Sequence, residues 1–270
     1  MLKAITRGVS RHLERCELTF RRRDCLNYER AVGQHEAYRA LLRRCGAQLI
    51  NLEASDDYPD CCFVEDTAVV FDELAVVALM GAPSRRGETP VVEKTLSAHR
   101  EIVRLAAPAT LDGGDVVRLG RRIFVGRSQR TNAAGVEALA RVVEPFGYEV
   151  TPVAVRKSLH LTTACSALDE ETVLLNPQWI DAAPFARCWL LPVPEDEPWA
   201  ANTLRIGETV CVESGAPRTL ELVGRHCANV EVADISEFRK AEGSLSCLSI
   251  LFRDMRTNQN NSNREVLNAE

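Results

Sequence analysis

Cys247 stands between a glycine-serine turn and an apolar run, in Glu242-Gly-Ser-Leu-Ser-Cys-Leu-Ser-Ile-Leu-Phe252. Far upstream lie Asp60-Cys-Cys-Phe-Val-Glu-Asp66, Leu111-Asp-Gly-Gly-Asp115 and Leu159-His-Leu161, each a turn beside an apolar stretch. A thiol, an imidazole and several carboxylates in such settings suggest covalent hydrolysis of a cationic substrate. Thiolate is the reactive form of cysteine, and near neutral pH it needs a base or a neighbouring positive charge to exist. Carboxylates would hold the cation, and the cation would favour the thiolate. Taken alone, Cys247 reads equally as a buried strand cysteine, His160 as a core histidine between leucines, and the acidic pairs as turns. Arg85, Arg86 and Arg130 read as surface charges. Only their combination points to a site.

Those residues are far apart in sequence, so the fold must gather them. Polar residue, short apolar strand, turn and second apolar strand recur at 65–79, 114–126, 162–176 and 201–213. A fifth unit pairs Cys247–Phe252 with the N-terminal Ala4–Arg7. The leading residues Asp66, Asp115, Thr163, Asn202 and Cys247 are spaced by 49, 48, 39 and 45 residues. A repeat of that length indicates a radial or solenoid array. Helical patterns fall between the hairpins, at 29–45, 90–100, 131–146 and 217–227. In the first of these, apolar residues recur at helical spacing, basic residues close the run, and Gly46 follows as a cap. The expectation is a mixed α/β ring of five units with the leading residues at one end of a central channel.

Composition sets wider bounds. The 270 residues are 46% hydrophobic and 26% charged with net charge −5, ordinary for a globular protein and suited to a cationic small molecule. No basic stretch beyond Arg21-Arg22-Arg23 suggests a nucleic-acid partner. No apolar run approaches the roughly 20 residues of a membrane span, and the N-terminus lacks a signal-peptide pattern. Ten cysteines without paired CxxC spacing predict reduced thiols, no metal site and a cytoplasmic protein. One domain is expected over 1–256, with a disordered polar tail over 257–270.

The motifs together resemble the dimethylarginine dimethylaminohydrolase family of the guanidino-group-modifying pentein superfamily, from Ala4 to about Phe252. The resemblance implies a five-bladed α/β propeller of ββαβ units, no cofactor, and a monomer or homodimer. It implies Cys247 as nucleophile, His160 as general acid and base, and Asp112 as the acid facing that histidine. Glu65 and Asp66 would grip the guanidinium, Asp60 the α-amino group, and Arg85 with Arg130 the carboxylate. Leu18 and Ala241 would offer backbone carbonyls. The chain departs from the familiar pattern at Ala241, where a larger aliphatic residue is usual, and across 165–200. The implied reaction turns Nω-methylated arginines into citrulline and methylamines. Arginine deiminase and amidinotransferase chemistry use the same residues, and a non-catalytic ring of this fold would not require Cys247, His160 and Asp112 together.

Overall fold

The computed structural model describes residues 1–254; the tail expected over 257–270 lies outside them. In chain order the elements are β1 (Leu2–Arg7), α1 (Tyr28–Arg44), β2 (Gln48–Leu52), β3 (Ala68–Val70), β4 (Leu74–Val77), α2 (Thr89–Leu96) and β5 (Glu101–Arg104). Then come β6 (Val116–Leu119), β7 (Arg122–Arg127), α3 (Ala133–Val143), β8 (Glu149–Ala154), α4 (Leu161–Ala164), β9 (Cys165–Ala167), β10 (Thr172–Leu175) and β11 (Trp189–Pro192). The chain continues through β12 (Leu204–Ile206), β13 (Thr209–Glu213), α5 (Pro217–His226), β14 (Asn229–Ala233), α6 (Ser236–Lys240) and β15 (Ile250–Arg253).

Five three-stranded sheets result, each with an antiparallel pair and a third strand running parallel to the central one. The hairpins are β3–β4, β6–β7, β9–β10 and β12–β13. The fifth sheet closes the ring, because β15 pairs antiparallel with β1 (Ile5 opposite Ile250) while β2 runs parallel to β1. This is the ring of five units that the repeat spacing predicts and the five-bladed α/β propeller that the resemblance implies.

Local chemistry sets the helices. Asn27 caps α1 by accepting the Arg30 N–H at 2.8 Å, and Gly46, at φ +85°, ends the turn after it. Tyr38, Leu41 and Leu42 on its inner face pack against Phe63, Phe238, Leu245 and Leu248. The Tyr38 hydroxyl donates to the Leu245 carbonyl at 3.0 Å and lies 2.7 Å from Ser249 Oγ, so α1 anchors the turn that carries Cys247. The helix expected to reach Arg100 stops at Leu96. The unwound residues let the Arg100 guanidinium reach the carbonyls of Phe71 and Arg253. The unit at 162–192 lacks a crossover helix. Pro177 and Pro184 interrupt the segment between β10 and β11, leaving one short turn at Ala183–Phe185.

The five leading positions are joined in a circle. Gly114 N–H donates to Asp66 Oδ1 at 3.1 Å, and Leu161 N–H donates to Asp115 Oδ1 at 2.9 Å. The Asn202 amide donates to the Thr162 carbonyl and to Ser246 Oγ, both at 2.8 Å. Ser246 Oγ donates to Glu65 Oε2 at 2.9 Å, which returns to the first unit. Each blade thus touches the next through a side-chain hydrogen bond made where its first strand begins. The propeller's repeat is what brings 65–66, 112–115, 160 and 247 together.

Candidate active site

Cys247 lies in the 3-10 turn Ser246–Leu248 that leads into β15, 5% exposed. Its sulfur accepts the Ser244 N–H at 3.4 Å. Burial, then the neighbouring Glu65 and Asp66 carboxyls, push the thiol well above its ordinary range. In the empty site the sulfur is a neutral thiol.

His160 precedes the single turn of α4 and is almost wholly buried. Its Nε2 lies 3.1 Å from Asp112 Oδ2 and its Nδ1 3.5 Å from Asp66 Oδ1. Burial disfavours the imidazolium, but Asp66, Asp112 and Asp115 outweigh it and raise the ring to about 9. Asp112 is held in turn, since its Oδ1 accepts the Gly81 N–H at 2.8 Å and its own N–H donates to Thr131 Oγ1 at 3.1 Å. The glycine pair beside it has a packing reason. A Cβ on Gly114 would sit 2.6 Å from Asp66 Oδ1 and 2.8 Å from His160 Nδ1.

Two carboxylates face the thiol with different protonation. Glu65, mostly buried and bonded to Ser246 Oγ, is raised to about 8 by burial and then by Asp66. For Asp66, burial opposes ionisation, but His160 and Arg85 overcome it and hold the group below the usual range. Asp115, fully buried, is raised to about 6 by burial, and it orients Leu161 N–H and Ser128 Oγ. Asp60 is also raised by burial and accepts the Glu17 N–H at 3.1 and 3.3 Å.

The two arginines paired by the resemblance part company. Arg85 is buried and spends its fork on Asp66 Oδ2 (2.6 Å), both Glu88 oxygens (3.0 and 2.9 Å) and the carbonyls of Asp60 and Phe63. It stands behind Asp66 as an internal cation whose donors are already taken. Arg130 is 8% exposed, and its Nη1 is buried without a hydrogen-bond partner among the described residues. Leu18 is half-buried in the irregular segment after the first 3-10 turn, and Ala241 is the buried C-terminal cap of α6.

Sequence spacing suggested no metal cluster, yet the fold places one ligand atom each from Asp66, Asp112 and His160 within 4.8 Å of one another. Arg85 already pairs with Asp66 and the imidazole with Asp112. A second cation there would face the guanidinium, so the trio reads as a device for tuning the imidazole. Sequence reasoning missed Ser246, Asn202 and Glu88. Asn202 was visible as a leading residue of the repeat. Glu88 carried no signal, because its task is to pair with an arginine buried three residues earlier.

Comparison with known proteins agrees with this arrangement. Residues 16–185 match the family described as N,N dimethylarginine dimethylhydrolase, eukaryotic. A Streptomyces coelicolor N(G),N(G)-dimethylarginine dimethylaminohydrolase is 39% identical over 94% of this chain and 98% of its own length. The Pseudomonas aeruginosa protein of that name is 33% identical over 84% of this chain and 90% of its own. A solved mutant of the P. aeruginosa enzyme complexed with citrulline superposes with a TM-score of 0.89, at 32% identity, over 93% of this chain and 100% of that one. The N-terminal domain of a cyanobacterial arginine dihydrolase shares the fold at 17% identity, with a TM-score of 0.80 over 93% of this chain and 98% of that one. A repeat-built ring, an imidazole held between two aspartates and these relatives lead to one conclusion: the chain belongs to the dimethylarginine dimethylaminohydrolase family.

Proposed function

We propose that the protein hydrolyses Nω-methylated arginines to citrulline and a methylamine through a covalent intermediate on Cys247. The observation that carries this reading is a buried thiol beside Glu65 and Asp66, with the His160 imidazole held between Asp66 and Asp112. A guanidinium is a poor electrophile, so its site must bind the cation and stabilise a tetrahedral centre. Glu65 and Asp66 are proposed to grip it. Its positive charge offsets theirs, and the Cys247 proton leaves to solvent as the thiolate becomes the better-balanced form.

Thiolate attack forms the carbon–sulfur bond. His160, cationic in the resting site, gives its proton to the departing amine as the carbon–nitrogen bond breaks. The neutral imidazole then takes a proton from water, and the resulting hydroxide attacks the thiouronium carbon. The carbon–sulfur bond breaks, the thiolate is restored, and a ureido product remains after loss of one proton. One imidazole serves both transfers because its charge is set by Asp66 and Asp112. Arg130, with a buried unpartnered Nη1, is proposed to receive the substrate carboxylate, with Arg85 as the cation behind Asp66. Asp60 and the carbonyls of Leu18 and Ala241 complete the α-amino subsite.

The test is a citrulline assay on arginine and its mono- and dimethylated forms, with the amine product identified. Dimethylamine or methylamine release, and a covalent adduct on Cys247 in trapped enzyme, are expected. Ammonia from free arginine as the preferred reaction would move the reading to deiminase chemistry. An adduct confined to another cysteine would remove the mechanism.

A further inference from the structure

Cys247, His160, Asp60 and Asp66 are each at most 5% exposed, so the segments that border the site control how a ligand is enclosed. One segment beside the site is the irregular stretch 17–27, most of it exposed, with Leu18 and Leu26 packed on the core and the Cys25 carbonyl and Asn27 N–H bonded to Lys240 and Glu237. Glu17 ties its start through the bond to Asp60 and a 2.6 Å contact with Ser84 Oγ. Arg23 returns to the carbonyls of Glu14 and Cys16. Between these points Leu18 packs on the core, and the tip's hydrogen bonds go to one group. Three consecutive N–H donors, of Thr19 (2.9 Å), Phe20 (2.5 Å) and Arg21, converge on the Glu242 carboxylate.

That carboxylate is aimed by an unusual backbone. α6 ends with Gly243 N–H bonded to the Phe238 carbonyl at 2.8 Å and Glu242 N–H to the Arg239 carbonyl at 3.2 Å. In this helix stop the residue at position 242 adopts left-handed φ, a place glycine usually takes. Here it is glutamate, at φ +58°. Gly243 has its own constraint, since a Cβ there would run into the Phe63 ring. A non-glycine residue held in this conformation calls for a functional reason. Phe20 and Arg21 also form one side of a cavity of about 210 Å³. Ser244, lining the same cavity, donates its N–H to Cys247 Sγ. The anchored tip and Glu242 thus border the same cavity as the residue that bonds the nucleophile.

We propose that Glu242 is a positioning residue that latches segment 17–23 over the site and thereby sets how tightly the substrate is held. Its neighbour Ala241 and the latch partner's neighbour Leu18 carry the two carbonyls assigned to the α-amino group, so one latch brings both into place. The kinetic half of the proposal rests on the substrate reading above; the structural half does not. Contacts made by the closed segment hold ground and transition states alike, so losing the latch raises KM more than it lowers kcat.

The experiment uses the full chain with Glu242→Ala, Glu242→Gly and Glu242→Gln, the glycine variant also relieving the backbone. Without substrate, amide exchange at residues 19–21 and alkylation of Cys247 by iodoacetamide, read by peptide mass spectrometry, should each rise about tenfold or more in the alanine and glycine variants. Exchange in α1 and α3 and the melting temperature should not fall. The glutamine variant, keeping one acceptor oxygen, should lie between. With substrate, KM should rise about tenfold and kcat change by less than about threefold. Wild-type exchange and alkylation in the alanine and glycine variants would overturn the latch, whatever the substrate proves to be. Faster exchange with an unchanged KM would overturn its role in substrate binding.

Discussion

Replacing Glu65 with glutamine should stabilise the protein at neutral pH while abolishing turnover. Glu65 sits against Ser246 and Asp66, and its carboxyl is raised from 4.5 to about 8, by burial first and then by Asp66. An acid whose pKa is raised by folding binds its proton more tightly in the fold than in the unfolded chain. The fold therefore suffers nothing from Glu65 below about pH 4.5 and is weakened progressively as pH climbs toward 8. At pH 7 the full shift corresponds to about 3 kcal/mol, and residual solvent contact reduces this to about 2 kcal/mol. Glutamine keeps an oxygen for the Ser246 hydroxyl and has nothing to titrate. The two proteins should unfold alike at pH 4 and differ by about 2 kcal/mol at pH 7, roughly 5 °C in melting temperature for a domain of this size, and by more at pH 8. His160 also loses its stabilising contribution as pH rises, but it does so in both proteins, so the difference isolates Glu65. Parallel stability curves from pH 5 to 8 would refute the claim that Glu65 is a buried, proton-retaining acid. Equal turnover by the variant would remove it from the guanidinium grip.

Asp112→Asn should lower the His160 imidazole by one to two units from about 9, because a charged hydrogen bond of about 1.5–3 kcal/mol is lost. Imidazole NMR reads this directly, and an unmoved titration would sever the pair. A histidine raised in the fold stabilises fully below its ordinary 6.5 and loses that contribution as pH rises toward 9. The variant's stability deficit should therefore be largest below pH 6.5 and vanish above 9. Gly114→Ala should reduce kcat/KM by at least about a hundredfold and destabilise by about 1–3 kcal/mol, as a methyl group displaces Asp66 and His160. Near wild-type kinetics would show that the glycine serves only the turn.

The ring was legible in the sequence because hairpins alternate apolar and polar residues and their leading residues recur about every 45 positions. Asp66, Asp115, Thr163, Asn202 and Cys247 are those leading residues, and the circle of hydrogen bonds runs through or beside each of them. No helical pattern was read in the third blade for a physical reason: prolines break up the segment that forms the crossover helix in the other blades. Roles that depend on what a side chain meets across blades were not legible. Arg85 and Arg130 look alike as charges in loops. Only packing gives one of them two buried carboxylates and leaves the other with an open Nη1. Glu242 carried no signal, because a positive φ leaves no mark in composition.

Charge distribution explains why a buried cluster of acids can persist around a thiol. Asp66, Asp112, Asp115 and Glu65 would repel one another strongly if all were ionised. Two cations, Arg85 behind Asp66 and the imidazolium of His160 between Asp66 and Asp112, offset that repulsion and hold Asp66 below the usual carboxylate range. Glu65 takes the other solution and retains its proton. The resting site therefore has no spare positive charge to stabilise a thiolate, and Cys247 stays neutral among negative neighbours. A guanidinium changes both balances together, since it favours ionised Glu65 and ionised Cys247 at once. A neutral substrate could do neither, and an anionic one would be repelled. The raised thiol and the raised carboxyl are two consequences of one unmet charge. This ties the cationic substrate class to the electrostatics of the chain's own residues as well as to its relatives.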